Sequence, residues 1–413
     1  MKVNAVKFYT IVFVIVIFLQ LYIYSFRFNI FFQLFILTSF FALEKVKLST
    51  EFLKISLPIL LIFLIGFIGM LFDRYHLFNI IKDIFHFIKP LLAVTIGYCF
   101  YRKINNFKLF IKTIVITGFL SAILHYIIII FFIKNIENVS NIREHGTDNF
   151  LELVAIFFLV YYKRFQNENI FPSKLKYRVI FITLLISNIL YFSRTMIVMA
   201  ILGLLTIYGY TVINKRGLKI AGVLTLFLIG FYTFLFSINI QRNKKGIESF
   251  LYKIKNAPAE VFKTKIDREN HADLWDHWRG YEAKRAFALL NENPKGYIFG
   301  CGYGSLVNLK FYAPLSNDLK GMKYISELHN GYVYILYKTG IIGLVLYFIF
   351  LISLYVKIYI DKNFITIFIS LIGLSFLFTT LVTVGINNSN EVLLLFLGAL
   401  LFFNEKQKLH ILK

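Results

Sequence analysis

One arginine of this chain carries its charge in an otherwise apolar part of the sequence. Arg194 lies in the run Tyr191–Met196, between two apolar stretches with almost no loop to solvate it. A charge held among apolar residues is costly and is therefore a candidate for function. Either Arg194 extends its apolar stem until the guanidinium reaches water, or the guanidinium binds an anion.

Three further basic residues are candidates, and each has an ordinary alternative. Arg143, in the run Asn141–Gly146, is either a solvated arginine paired with the neighbouring glutamate or a site residue. Arg279, in the run Asp276–Glu282, is either a surface residue or part of a site. His329 begins an apolar segment, where it could be a helix cap, a surface residue or a general base, because imidazole titrates near neutral pH.

A glycine run, Gly300–Gly304, superficially resembles a phosphate-binding loop. It lacks both the preceding buried strand and the Gly-Lys-Ser/Thr ending that nucleotide binding requires. We therefore predict a tight turn, whose backbone amides could still face an anion.

The elements that carry these residues are predicted to be membrane helices. The chain has 413 residues, of which 58% are hydrophobic and 16% are charged, whereas a soluble chain carries about 25% charged residues. This composition allows about twelve spans of ~20 apolar residues and excludes a simple soluble protein. Hydropathy predicts an all-α polytopic membrane protein with helices near residues 8–26, 28–43, 52–72, 84–101, 109–133, 148–162, 177–192, 195–213, 218–237, 333–356, 364–384 and 391–403.

The net charge of +23 admits two interpretations. In a soluble protein it would indicate a nucleic-acid partner, but in a membrane protein it first reflects retention of Lys and Arg on the cytoplasmic side. Placing both termini in the cytoplasm puts most basic residues of the short loops on the inner side, so we predict that orientation and no nucleic acid. The two cysteines, Cys99 and Cys301, exclude a disulfide framework and a multi-cysteine metal site.

The predicted spans divide the chain into three regions. Residues 1–237 form helices 1–9, residues 238–332 form one large extracytoplasmic loop subdomain, and residues 333–413 form helices 10–12 and a cytoplasmic tail. Apolar residues recur at helical spacing within 276–292, so the loop is expected to be helical. Loops of this size tend to be functional.

The order of the motifs resembles the O-antigen ligase and Wzy-type polymerase superfamily over roughly residues 140–400. It consists of Ser193-Arg194 between paired helices, Trp278–Glu282 followed by the turn Ile298–Gly304, and His329–Tyr332 followed by Gly340–Gly343. No single motif is specific, but their order around a long loop is. The first four helices match in hydropathy only.

The resemblance implies an activity, a set of partners and an architecture like that of polytopic lipid-dependent glycosyltransferases. A glycan would pass from an undecaprenyl-diphosphate carrier to a hydroxyl group on the outer side of the bacterial cytoplasmic membrane. The acceptor is another lipid-linked glycan in a polymerase and the lipid A core in a ligase, and the motifs do not separate the two. A chain-length regulator protein could be a further partner.

The resemblance also implies roles for particular residues. Arg194 and Arg279 would bind the diphosphate and His329 would be the catalytic residue beside the acceptor. Arg285 stands close to Arg279, so the choice between these two arginines stays open. The further residues expected to contact diphosphate or glycan are Arg143, Arg285, Asn330 and Tyr332.

We predict neither a metal nor a cofactor. Other polytopic glycosyltransferases hold a divalent cation with an acidic pair on the first outer loop, and here that loop, residues 25–29, has no carboxylate. A flippase for lipid-linked sugars is the alternative from another class, although such transporters usually show internal repeats and short loops. A non-catalytic membrane scaffold is the remaining alternative.

Overall fold

The chain folds as a bundle of apolar helices. The computed structural model describes residues 4–23, 25–45, 47–71, 73–132, 148–242, 247–263, 265–267, 270–315 and 321–411. Helices form at each of the twelve predicted positions: α1 (Ala5–Tyr22), α2 (Phe26–Leu43), α3 (Thr50–Gly69), α4 (Leu77–Ile104), α5 (Phe107–Phe132), α6 (Phe150–Gln166), α7 (Lys174–Leu190), α8 (Arg194–Ile207), α9 (Lys215–Ser237), α14 (Gly331–Tyr355), α16 (Phe364–Val382) and α17 (Leu393–Ile411).

Eight helices within the described ranges are long and apolar enough to cross a membrane. They also keep large apolar side chains on the outside of the bundle, for example Phe35 at 67% and Leu226 at 71% exposure. Such side chains are unfavourable in water and favourable in lipid, and backbone groups in lipid must be satisfied within helices. The prediction of an all-α polytopic membrane protein is therefore confirmed.

The segment between α9 and α14 forms smaller elements at one end of the bundle, which we call the site end. These are α10 (Ile247–Phe262), α11 (His271–Asp276), α12 (Trp278–Glu292), α13 (Gly296–Phe299), β1 (Val307–Ala313) and β2 (Met322–Ile325). Helix α12 occupies the stretch 276–292 where helical spacing predicted it. The antiparallel pair β1–β2, with Val307 opposite Ile325, was not predicted. After β2 the chain enters α14, which α15 (Lys357–Ile360) continues.

The glycine run forms the predicted tight turn. Gly300, Gly302 and Gly304 have positive φ values of 78°, 76° and 90°. Residues other than glycine rarely adopt such values. The amide of Gly302 donates to the carbonyl of Lys338 at 3.1 Å, and the amide of Gly304 donates to Asp83 Oδ2 at 2.7 Å. The suggestion that these amides face a ligand anion is therefore wrong at both positions, because the protein itself occupies them.

Lys338 of α14 lies in the interior of the bundle, where it is 0% exposed. Its ammonium group lies 2.5 Å from Asp83 of α4 and 2.6 Å from the carbonyl of Ser305. Lysine is fully buried almost only when paired, so this contact joins α4, α14 and the glycine turn.

Candidate functional site

Two of the predicted arginines meet on one glutamate. Arg194 begins α8, whose N-terminus is capped by Ser193 Oγ, and its Nη1 and Nη2 lie 2.9 and 3.1 Å from the two carboxylate oxygens of Glu260 on α10. Arg279 on α12 donates from Nη1 to Glu260 Oε2 at 3.0 Å. We call Arg194, Arg279 and Glu260 the arginine cluster. Arginines separated by 85 positions in the sequence thus meet on one carboxylate.

The arginine cluster carries a net positive charge in a partly buried place. The side chains of Arg194 and Arg279 are 24% and 29% exposed, and that of Glu260 is 14% exposed. Two guanidinium groups and one carboxylate leave one positive charge. Burial lowers the pKa of Arg279, with the charge of Arg194 acting in the same direction, but an arginine still stays protonated. A second anion arriving here would relieve this repulsion.

The predicted catalytic histidine lies on a second glutamate. Nδ1 of His329 is 3.0 and 3.2 Å from the two carboxylate oxygens of Glu282, and the backbone amide of His329 donates to Glu282 Oε2 at 3.0 Å. A carboxylate only accepts hydrogen bonds, so Nδ1 carries the proton and Nε2 is the basic nitrogen of the neutral ring. The His329 side chain is 54% exposed, whereas that of Glu282 is 2% exposed. A buried carboxylate therefore orients an accessible base.

Glu282 also sets the proton affinity of His329. Its hydrogen bond raises the pKa of His329 above the usual 6.5, while burial and the charge of Arg279 act in the opposite direction. The influence of Arg279 places the imidazole and the arginine cluster within electrostatic reach of each other. Arg279 and Glu282 are three residues apart on α12, so they lie on adjacent turns of one face. One helix therefore serves both the arginine cluster and the histidine.

The remaining predicted site residues have local roles in the structure. Arg285 donates from Nε to the carbonyl of Asn308 on β1 at 2.9 Å, and its Nη2 is buried with no hydrogen-bond partner among the described residues. Asn330 caps α14 by accepting from the amides of Tyr332 and Val333. The Tyr332 hydroxyl donates to the carbonyl of Leu377 at 2.6 Å. Arg143 lies outside the described residues.

Sequence reasoning missed both glutamates as partners. Glu282 stood inside the motif Trp278–Glu282, but its pairing with a residue 47 positions away leaves no local signal. Glu260 lies on an amphipathic helix in which nothing distinguishes it from a solvated acid. Arg279 is the loop arginine that joins Arg194, while Arg285 holds the hairpin.

An apolar groove begins beside the arginine cluster. It has a volume of about 600 Å³ and lies between α6, α7 and α8, with α10 closing one end. Phe192 and Ser193 line it immediately before Arg194, and Phe250 of α10 lines it from the loop segment. An apolar chain placed in this groove would hold a polar head at the arginine cluster.

Within the described part of the chain, no group of three or more His, Cys, Asp and Glu side chains is placed to hold a metal ion.

The chain was then compared with known proteins. Residues 179–348 match the family model described as O-antigen ligase, which confirms the resemblance indicated by the motifs. The matched stretch includes Arg194, Arg279 and His329. The search of the curated proteins found no match, and neither did the search of the solved structures.

Proposed function

We propose that this chain is a glycosyltransferase that polymerises undecaprenyl-diphosphate-linked oligosaccharide repeat units, as in O-antigen, capsule or exopolysaccharide synthesis. The family match supports a glycan-processing enzyme of the O-antigen ligase and polymerase type. The observation that carries the finer proposal is the meeting of Arg194 and Arg279 on one carboxylate. Glu282, on the same face of α12 as Arg279, binds His329. Reaction would take place at the outer side of the bacterial cytoplasmic membrane, with both termini in the cytoplasm.

The arginine cluster would bind the diphosphate of the donor. The carboxylate of Glu260 occupies three guanidinium hydrogen bonds that phosphate oxygens could accept in its place, because the fork of arginine matches both groups. When the bond from the anomeric carbon to the diphosphate breaks, the leaving oxygen takes the electron pair. Fixed guanidinium groups stabilise that developing charge and lower the barrier.

His329 would serve the acceptor. Nε2 removes the proton of the acceptor hydroxyl as its oxygen attacks the anomeric carbon from the side opposite the diphosphate, and the proton stays on the imidazolium. Glu282 stabilises that imidazolium and holds the ring in place. Such a positioned base contributes typically ~10² to 10⁴ in rate. A single displacement inverts the anomeric centre.

The apolar groove would take the carrier chain. A polyprenyl tail is long and apolar, and the groove of about 600 Å³ runs from Arg194 between lipid-facing helices. Burial of each methylene group contributes about 0.8 kcal/mol. The tail would thereby bring the diphosphate to the arginines from within the membrane.

The match to the O-antigen ligase family model favours a second candidate within the same chemistry. An O-antigen ligase joins the lipid-linked glycan to the lipid A core, and the site described here has no feature that distinguishes the two acceptors. Purified enzyme given only an undecaprenyl-diphosphate repeat unit distinguishes them. A polymerase produces a ladder of longer lipid-linked glycans, whereas a ligase produces nothing until lipid A core is added.

The test of the proposed chemistry compares Arg194→Lys and Arg279→Lys with Arg74→Lys, a basic residue at the same end of the bundle but outside the arginine cluster. Losing the bidentate fork should reduce transfer about a hundredfold or more in the first two variants and leave the control unchanged. Transfer should continue in EDTA. Wild-type rates in both cluster variants, or activity that needs added magnesium or manganese, would contradict the proposal.

A further inference from the structure

A positively charged cavity opens at the site end, between α2 and α4. Its volume is about 780 Å³, and its wall includes Arg27 and Phe31 of α2, Lys82 and His86 of α4, and Glu327. None of these residues belongs to the arginine cluster. We call this space the α2–α4 cavity.

The α2–α4 cavity repeats the charge arrangement of the arginine cluster. Lys82 Nζ and His86 Nε2 lie 2.8 and 3.1 Å from the same oxygen of Glu327. The Arg27 guanidinium lies 5.1 Å from the ring centre of Phe78 and has no carboxylate partner among the described residues. Arg27 and Lys82 supply two positive charges against the one carboxylate of Glu327, so this group of side chains also carries a net positive charge. Because Arg27 is unpaired and exposed, an anion can reach it without breaking an ion pair.

The floor of the α2–α4 cavity consists of buried and closely packed side chains. His86 is 3% exposed and stacks on Phe26, with ring centres 3.8 Å apart. Lys89, one turn further along α4, is 2% exposed and lies 5.7 Å from the Phe26 ring. It donates to the carbonyl of Asn388 at 2.9 Å.

The cavity also lies next to the catalytic segment. Glu327 is two residues before His329, and its charge contributes to the raised pKa of that histidine. Apolar side chains around the opening, Phe31 and Phe78, are 59% and 51% exposed on lipid-facing helices. A ligand here therefore combines an anionic head, an apolar tail and access to the His329 side of the site.

We propose that the α2–α4 cavity binds the phosphorylated headgroup of the acceptor lipid. This inference rests on the proposed function, since a transfer between two membrane-anchored glycans needs two headgroup sites that share one base. In a polymerase the acceptor is itself a polyprenyl diphosphate, so the protein should bind two such lipids at once. In each site, basic side chains that now pair with a glutamate would bind phosphate oxygens in its place.

The test is the number of undecaprenyl diphosphate molecules bound by the intact protein in detergent, measured by native mass spectrometry. Wild type should bind two. Arg27→Gln and Lys82→Gln should each weaken one of the two by about tenfold to a hundredfold, as expected for losing a hydrogen bond to a charged group. The surface control Arg74→Gln should retain both. Arg27 makes no ion pair with a described residue, so its substitution tests binding without disturbing the fold.

The arms of the experiment separate the possible failures. Loss of one lipid in Arg194→Gln, with no loss in Arg27→Gln or Lys82→Gln, overturns this inference and leaves the proposed function standing. No loss in Arg194→Gln contradicts the proposed function itself. If equimolar phosphatidylglycerol or inorganic pyrophosphate displaces the second lipid, the cavity recognises negative charge alone and the inference fails. Binding of one lipid together with one lipid A core molecule supports the inference in its ligase form.

Discussion

Glu260 and Glu282 give the basic side chains of the site different tasks. Glu260 accepts from the two arginines that we propose to bind the diphosphate, so it would occupy the place of that substrate. Glu282 is buried and accepts hydrogen bonds from both the ring and the backbone amide of His329. The proposed reaction does not require Glu282 to give up these partners to a substrate. The first is expected to compete with substrate and the second to position the base.

The positioning role of Glu282 predicts a shift in pH dependence. The hydrogen bond from Glu282 raises the pKa of His329, and a general base acts only when deprotonated, so the rate should rise with pH through that raised pKa. Glu282→Gln removes the charge and should move the rise to lower pH, while the amide oxygen still accepts from Nδ1. The measurement is the pH profile of kcat/KM. Glu292→Gln, on the same helix, is the control, and an unmoved profile in Glu282→Gln would contradict the assignment.

The competing role of Glu260 predicts a gain in affinity. Glu260→Gln keeps the shape of the side chain but removes the charge that two arginines now neutralise, so undecaprenyl diphosphate should bind several-fold more tightly, on the order of 1 kcal/mol. Titration of the lipid against the variant, wild type and Glu248→Gln measures this. Weaker binding would mean that Glu260 holds the arginines in position instead.

The glycine turn and helix α14 act as one element. The glycine turn packs against α14 at the kink of that helix. The kink lies at Gly340, whose φ is 67°. A methyl group on Gly340 would lie 2.2 Å from the carbonyl oxygen of Ile298. This close approach holds the middle of α14 against the segment between α12 and β1. The segment after α12 is accordingly attached to the bundle by backbone contacts.

This attachment predicts that Gly340→Ala is destabilising. The left-handed backbone alone costs roughly 1–3 kcal/mol with a side chain, and the contact with Ile298 adds to it. The unfolding temperature in detergent should fall. Gly222→Ala is the matched control, since nothing lies within 4 Å of a methyl group there and alanine favours a helix by about 1 kcal/mol. Equal unfolding temperatures for Gly340→Ala and wild type would argue against the attachment.

The buried ion pair of Lys338 and Asp83 predicts a second effect on stability. Lys338→Met leaves the carboxylate of Asp83 buried without its cation, which costs about 3–5 kcal/mol. Adding Asp83→Asn should recover much of the loss, because no charge then remains. Lys103→Met breaks the more exposed pair with Glu44 and should cost less than about 1 kcal/mol. Thermal unfolding of the four proteins measures the difference, and a Lys338→Met variant as stable as Lys103→Met would refute it.

For the whole molecule, hydropathy predicted the positions of the helices, because a membrane helix is apolar over a continuous stretch of the sequence. The candidate residues Arg194, Arg279 and His329 were predicted through their motif order, and the structure brings them to one end of the bundle. The hairpin β1–β2 was missed, since its strands are short and irregular in register. The number of membrane spans and the orientation of the chain in the membrane stay predictions.

The partners of the site residues could not be predicted. Glu260 is 66 residues from Arg194, and Asp83 is 255 residues from Lys338. No local spacing connects such pairs, because they meet only through the packing of distant helices. The α2–α4 cavity was invisible for the same reason, as its wall combines α2, α4 and the segment before α14.

The central claim is that His329 is the base of a glycosyl transfer, and one measurement tests it most directly. Wild type and His329→Gln are reconstituted in liposomes with a defined undecaprenyl-diphosphate repeat unit, and the lengths of the lipid-linked products are followed with time. We expect a growing ladder from wild type and a rate lower by about 10² to 10⁴ from a folded His329→Gln. A ladder that grows at the wild-type rate in His329→Gln would contradict the account.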